Sequence, residues 1–238
     1  MNIKTLELEL TDHPDTSWVQ YLINGLKEGF DTGVHDPPTS SLVCPNLLSA
    51  RKQPNIVSKI LGDEVKKGYL LGPFREPPFT TFRCSPIGIV DKKYSEKKRL
   101  IVDLSSPRND EDTPSINALI CKEDYTLSYV KLDDAIAAIK HAGKGAQLCK
   151  TDIVDAFKII PIHPTLWHLY GVYWDNFYYF FVRLAFGCRS SPKIFDMLST
   201  AVCWIAQHQY GINIIFHLLN DFLTVDSPNA TQTEPWPC

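Results

Sequence analysis

The sequence predicts an α+β protein, and three observations carry that reading. Apolar residues recur at helical spacing in separated stretches, strand-like stretches fall between and after them, and two of the strand ends carry aspartate. A strand, a helix and a further strand follow one another between residues 85 and 152, which gives a split βαβ arrangement with an antiparallel sheet.

Taken in order, the first helix has Val19, Leu22, Ile23 and Leu26 at helical spacing, with Thr16 or Ser17 as its cap and Gly29 as its stop. Pro37-Pro38, Thr39-Ser40-Ser41 and Pro45 interrupt every pattern as far as Pro54, so this stretch reads as a linker or wrapping arm. A second helix follows Pro54, with Ile56, Val57, Ile60, Leu61 and Val65 on one face and Gly68 at its end.

Beyond Gly72-Pro73 and Pro77-Pro78, residues 85–90 and 100–104 read as a hairpin. Its tip gathers Lys92, Lys93, Lys97, Lys98 and Arg99, either as a solvated turn or as an anion-binding tip. Thr113-Pro114-Ser115-Ile116-Asn117 marks a turn, and a third helix carries Leu132, Ala135, Ile136 and Ile139 along an apolar face and ends near Gly143. It feeds the half-buried strand Gln147-Leu148-Cys149-Lys150. Next comes a hairpin around Asp175-Asn176, whose aromatics are expected to pack the core and sheet faces, base stacking being the alternative. Ser190-Ser191 caps and Pro192 opens a fourth helix with Ile194, Leu198, Ala201, Val202 and Ile205. In the last hairpin, residues 212–219 meet 222–225 across Asn220-Asp221.

Composition bounds the function classes. A chain of 238 residues with 44% hydrophobic and 21% charged content folds around a sizeable core. No apolar run approaches membrane-spanning length and the N-terminus lacks a signal-peptide core, so the expected location is cytoplasmic or nuclear, with no membrane partner. Seven cysteines, odd in number and without a Cys-x-x-Cys pair, argue for free thiols and against a disulfide framework or structural zinc. His163 and His168, separated by Pro164, have the wrong spacing for two ligands on one helical face. The net charge of −3 counts against tight nucleic-acid binding by this chain alone, although its positive charge is clustered.

The strand ending in Asp152 is followed three positions on by Asp155 and then by Ala156 and Phe157. In isolation, Asp-x-x-Asp after a strand is most often the N-cap of a helix with a solvated partner. The second acid-bearing strand end, at Asp221, makes a divalent-cation site the sharper reading. Such sites drive phosphoryl transfer with two metals roughly 3.5–4 Å apart.

Three stretches in order, Lys150-Thr151-Asp152-Ile153-Val154-Asp155-Ala156-Phe157, Leu184-Ala185-Phe186-Gly187-Cys188-Arg189-Ser190-Ser191-Pro192 and Leu218-Leu219-Asn220-Asp221, resemble motifs A, B and C of a retroelement reverse transcriptase. The look is that of tyrosine-recombinase retrotransposons of the DIRS group. Upstream, Ser85-Pro86-Ile87-Gly88-Ile89-Val90-Asp91-Lys92-Lys93 and Lys98-Arg99-Leu100-Ile101-Val102-Asp103-Leu104-Ser105 resemble that family's fingers motifs. These ordered motifs, in a resemblance covering about residues 60 to 226, are far more specific than any one alone.

The resemblance implies a polymerase palm with a fingers subdomain and no thumb. An N-terminal helix and wrapping arm would occupy 1–54, a fingers-like region 55–145, the palm 146–226 and a disordered tail 227–238. It implies an RNA-directed DNA polymerase using Mg2+ or Mn2+, deoxynucleoside triphosphates and an RNA or DNA template-primer. Asp152 and Asp221, with Asn220, match the metal and catalytic positions. Lys92 and Arg99 match the triphosphate grip, and Asp155 and Ala156 lie beside it. Phe157 matches the ring that rejects a ribonucleotide 2′-hydroxyl, while Phe186 and Gly187 match the turn that lays nucleotide and template against the chain.

Two departures matter. Motif C ordinarily ends in two aspartates, and here the first is Asn220, whose amide is neutral. Thumb, RNase H and recombinase regions are not in the sequence. Both predict impaired catalysis, and a noncatalytic nucleic-acid-binding remnant or host-retained interaction protein is the alternative. Another two-metal palm enzyme, such as a nucleotide cyclase, is disfavoured by the Phe186-Gly187 turn and the basic hairpin.

Overall fold

A computed structural model describes residues 1–91, 98–108 and 110–228. Lys92, most of the basic tip and the tail from residue 229 lie outside the described residues. The helices are α1 (Ile3–Glu9), α2 (Thr16–Glu28), α3 (Leu48–Arg51), α4 (Pro54–Lys66), α5 (Leu132–Ala142) and α6 (Ser191–His208). The strands are β1 (Leu42–Val43), β2 (Leu70–Phe74), β3 (Arg83–Cys84), β4 (Ile87–Asp91), β5 (Lys98–Val102), β6 (Gln147–Asp152), β7 (Gly171–Trp174), β8 (Phe177–Phe181), β9 (Ile215–Leu218) and β10 (Asp221–Asp226).

Two compact units divide the chain discontinuously. The first takes Met1–Ile23, Leu127–Ala156 and Lys193–Cys238, and the second takes Asn24–Thr126 and Phe157–Pro192. A mixed α+β architecture is present, with three sheets, and the strands before and after α5 that the sequence joins in one βαβ unit, β4-β5 and β6, lie in different ones. The first unit holds an antiparallel sheet in the order β6-β10-β9. The second holds a five-stranded mixed sheet, β1-β3-β7-β8-β2, and the separate β4-β5 hairpin. Its mixed character arises because β3 runs parallel to both β1 and β7.

In the second unit, β7 and β8 are joined by Asp175 and Asn176, both in the left-handed conformation, as a tight two-residue hairpin requires. Phe180 is buried and meets Phe79 and Phe82 edge-on, at ring separations of 4.8 and 6.2 Å. This is the offset geometry that the ring quadrupole favours. The aromatics of this hairpin therefore serve the core in large part: Tyr170, Trp174, Phe180 and Phe181 are all buried. Helix α4 starts at Pro54, which fits the first turn because a proline lacks only a donor that has no intrahelical partner. It buries Val57 and Leu61.

Three expectations need correction, and one helix goes unread in the sequence. Asp15, not Thr16 or Ser17, caps α2, its carboxylate accepting from the Trp18 amide at 2.9 Å. Helix α1 was not legible at all. Its seven residues bury nothing, so no apolar stripe announces it. The strand expected to be half-buried, β6, is an edge strand whose two faces are both exposed along its whole length, so neither is packed into a core. Likewise, α5 lies against β10 yet leaves Leu132 76% exposed and Ile136 exposed, so the apolar stripe read from the sequence is only partly buried.

Among the described residues, no helix is long and apolar enough to cross a membrane. The six described cysteines are all free thiols.

Candidate functional site

The acidic site is built by register. In the antiparallel pair β6-β10, Asp152 stands directly opposite Asp221, so both side chains leave the same face of the sheet. The turn that makes this possible is not the Asn220-Asp221 turn expected from the sequence. Leu218 pairs with Asp221, which leaves Leu219 and Asn220 as the two turn residues and draws Asp221 into the strand. Leu219, not an asparagine or aspartate, takes the left-handed conformation, at φ 54°.

Asn220 then reaches across to motif A. Its backbone carbonyl accepts from the Ile153 amide at 2.9 Å, and its side-chain amide donates to Asp152 Oδ1. Lys150 Nζ lies 2.9 Å from Asp221 Oδ1. Two residues before Asp152 on the same strand, Lys150 shares its face, so strand alternation alone would have placed it here. The hydrogen bond to Asp221, reinforced by that carboxylate's charge, holds the Lys150 ammonium above the usual lysine range. Lys150 is largely exposed and Asp221 partly so, and the pair is correspondingly screened.

The donor set decides what cation this face accepts. Two carboxylates and one amide oxygen suit a single hard divalent ion. They fit a two-metal centre poorly, because the third donor, the Asn220 amide, carries no negative charge. Among the described residues, no group of three His, Cys, Asp or Glu side chains is placed to hold a metal. As arranged, the carboxylates are answered from within, one by an ammonium and the other by an amide. Asp155, at φ 57°, follows the exposed Val154, and Ala156 is buried.

In the second unit, the remaining residues form a stack. Phe157 is buried, and its ring lies 4.8 Å from that of Phe186. The Arg99 guanidinium sits over the same Phe186 ring, 5.4 Å from its centre. Such a stack orients the guanidinium while leaving its edge donors available to an anion. Lys98, from the same expected basic tip, is paired with Asp91.

Gly187 follows at φ 98°, where a Cβ would come within 2.8 Å of the Val102 carbonyl oxygen, so only glycine fits without movement. Sequence reasoning missed the residue that holds this turn. Asn117, 8% exposed, donates to the Gly187 carbonyl and to Ser105 Oγ, each at 2.8 Å. Its own oxygen accepts from the Arg189 amide at 2.8 Å. Arg189 in turn donates to the Ile120 carbonyl at 2.6 Å. The signal available was an asparagine inside a marked turn, Thr113-Pro114-Ser115-Ile116-Asn117, which by itself says only that the backbone bends.

Comparison of the coordinates with solved structures gives a match to the crystal structure of the prototype foamy virus protease-reverse transcriptase in its native form, with a TM-score of 0.51 and 19% sequence identity. The match covers 82% of this chain. The fold is reverse-transcriptase-like. This chain spans 22% of the foamy virus protein's length, so the likeness concerns one part of that protein. No family model matches the sequence, and no curated protein matches it.

The reverse-transcriptase-like fold thus carries the expected residues in two groups. Asp152, Asp155, Ala156, Asn220 and Asp221 belong to the first unit, and Arg99, Phe157, Phe186 and Gly187 to the second. Lys92 lies outside the described residues.

Proposed function

We propose that this chain is the fingers and palm part of an RNA-directed DNA polymerase from a retrotransposon of the DIRS type, with nucleotidyl transfer weakened at motif C. The single observation that carries the proposal is the register pairing of Asp152 with Asp221 on one sheet face. The reverse-transcriptase-like fold supports it. Polymerase sites need carboxylates at two converging strand ends, and the alternation of side chains along a strand would be as ready to turn one of them away.

Asp152 and Asp221 would hold Mg2+ or Mn2+, which when bound polarises the α-phosphate and stabilises the charge that develops in transfer. The chain's own residues do the rest. Lys150 and Asn220 compensate Asp221 and Asp152. Arg99, braced on Phe186, would neutralise the oxygens of a deoxynucleoside triphosphate, the role that the family resemblance also gives to Lys92. Phe157, packed on the other member of that ring pair, presents bulk against a ribose 2′-hydroxyl. Gly187 lets backbone approach the nucleotide and template.

Primer extension on an RNA template, with magnesium or manganese, tests this reading. Asn220→Asp restores the missing carboxylate and is expected to raise incorporation by roughly 10²–10³ over the natural chain. Absence of incorporation by the substituted chain, under conditions where it binds the template-primer, would sink the enzymatic reading.

One observation favours a second reading, a noncatalytic nucleic-acid-binding role. Lys150 and Asn220 already answer the acidic face. Binding to an RNA–DNA hybrid that weakens with salt but ignores divalent cations supports that role, and absence of binding at low salt removes it.

A further inference from the structure

The β9-β10 turn is held from outside the sheet by a polar stripe on α6. Asp196, Ser199 and Cys203 are spaced three and four apart, so they lie along one helix face. Each makes a contact to the hairpin that carries Asn220 and Asp221. Ser199, fully buried, donates its hydroxyl to the Leu219 carbonyl at 2.7 Å. Asp196 Oδ1 lies 3.1 Å from His217 Nε2. Cys203 Sγ lies 3.3 Å from His217 Nδ1.

The directions of these bonds follow from the chemistry. A carboxylate only accepts, so Nε2 carries a proton, and in the neutral imidazole Nδ1 is then the acceptor of the cysteine S–H. A Cys-His-Asp sequence of this kind resembles the relay of a thiol nucleophile. Burial argues otherwise, since it pushes the Cys203 thiol up to about 12, and an un-ionised thiol donates a hydrogen bond and does not attack. The relay is therefore a brace. Its location matters because Leu219 is a branched-chain residue in the left-handed region, a conformation that persists only where neighbours fix it.

We infer that Asp196, Ser199 and Cys203 of α6 are positioning residues. They fix the Leu219-Asn220 turn, through the Leu219 carbonyl and His217, and so set Asp221 opposite Asp152. The inference rests on the polymerase reading for the purpose of the turn, but not for the turn's dependence on α6.

The test is hydrogen exchange of the full chain, followed at residues 217–222, beside manganese binding read from the electron paramagnetic resonance signal of the free ion. Ser199→Ala and Asp196→Ala are expected to speed exchange in that segment by about tenfold, with residues 171–181 unchanged, as the loss of one or two local hydrogen bonds implies. Both variants should also weaken manganese binding. Asp196→Asn keeps an oxygen for Nε2–H and should retain wild-type protection and affinity. Should Ser199→Ala fail to fold, His217→Phe, at a partly exposed position, supplies the same comparison. Unchanged exchange at the turn in the folded alanine variants, or an Asp196→Asn that behaves like Asp196→Ala, overturns the positioning role. A wild-type chain that binds no manganese, but whose turn loosens in the alanine variants as expected, supports the positioning role and counts against the polymerase reading alone.

Discussion

Asp152 and Asp221 face one another across β6 and β10, each already matched by a donor from its own motif or its partner's: the Asn220 amide for Asp152 and the Lys150 ammonium for Asp221. Two carboxylates brought this close repel unless something positive or protic stands between them. Asn220 and Lys150 meet that demand from the protein's own side chains.

Replacing the amide by a carboxylate should make the fold conditional on cations. In Asn220→Asp the donor to Asp152 becomes a third negative charge on the same face. Urea denaturation is expected to show lower stability than wild type without divalent ions, and recovery with millimolar magnesium. Equal midpoints with and without magnesium would show that the three side chains do not share a cation.

Lys150 competes with any cation for Asp221. Lys150→Met, which keeps most of the side chain's length, should leave the urea midpoint nearly unchanged because the pair is exposed. Manganese should bind several-fold more tightly to it, since the repulsion of the ammonium is gone. Unaltered or weaker manganese binding would contradict the placement of the cation beside Asp221.

The motif B turn should depend on Asn117 and Gly187 to a similar degree. Asn117→Ala leaves the Gly187 carbonyl, the Arg189 amide and Ser105 without their partner, at an expected cost of about 2–4 kcal/mol for a buried network of this kind. Gly187→Ala forces a side chain into a left-handed position and against the Val102 carbonyl, for about 1–3 kcal/mol. Both are read from urea unfolding. Losses below about 0.5 kcal/mol, the range of ordinary surface changes, would mean that the turn is held elsewhere.

Stability should fall at alkaline pH through Cys84. Its burial pushes the thiol up to about 12 from the ordinary value near 9.0. Between those values the unfolded chain gives up the proton and the folded chain keeps it, so the folded state binds more protons and loses stability as pH rises. The contribution is complete below pH 9 and declines above it. Comparing urea midpoints at pH 8 and pH 10 in wild type and Cys84→Ala should show a smaller alkaline loss in the variant. Equal losses would mean that Cys84 is not the group responsible.

The sequence by itself determined the elements whose signals are local. Helix α4 opens at Pro54 and stops before Gly68, α6 opens on Ser191-Pro192 just after Ser190, and the β7-β8 hairpin turns on Asp175-Asn176. Each is set by side-chain periodicity and by backbone preferences within a few residues, which the order of residues states directly. The motifs were legible for the same reason, including the asparagine that departs from them.

Tertiary structure decided the rest, because it depends on what lies opposite. Whether β6 is central or at an edge is a property of its neighbours, and a one-residue shift of the last turn moves every side chain of β10 to the other face. Local preference would have put Asn220-Asp221 in that turn. Leu219 occupies it instead, its carbonyl held by Ser199 at 2.7 Å from a helix twenty residues earlier, and so Asp221 stands opposite Asp152.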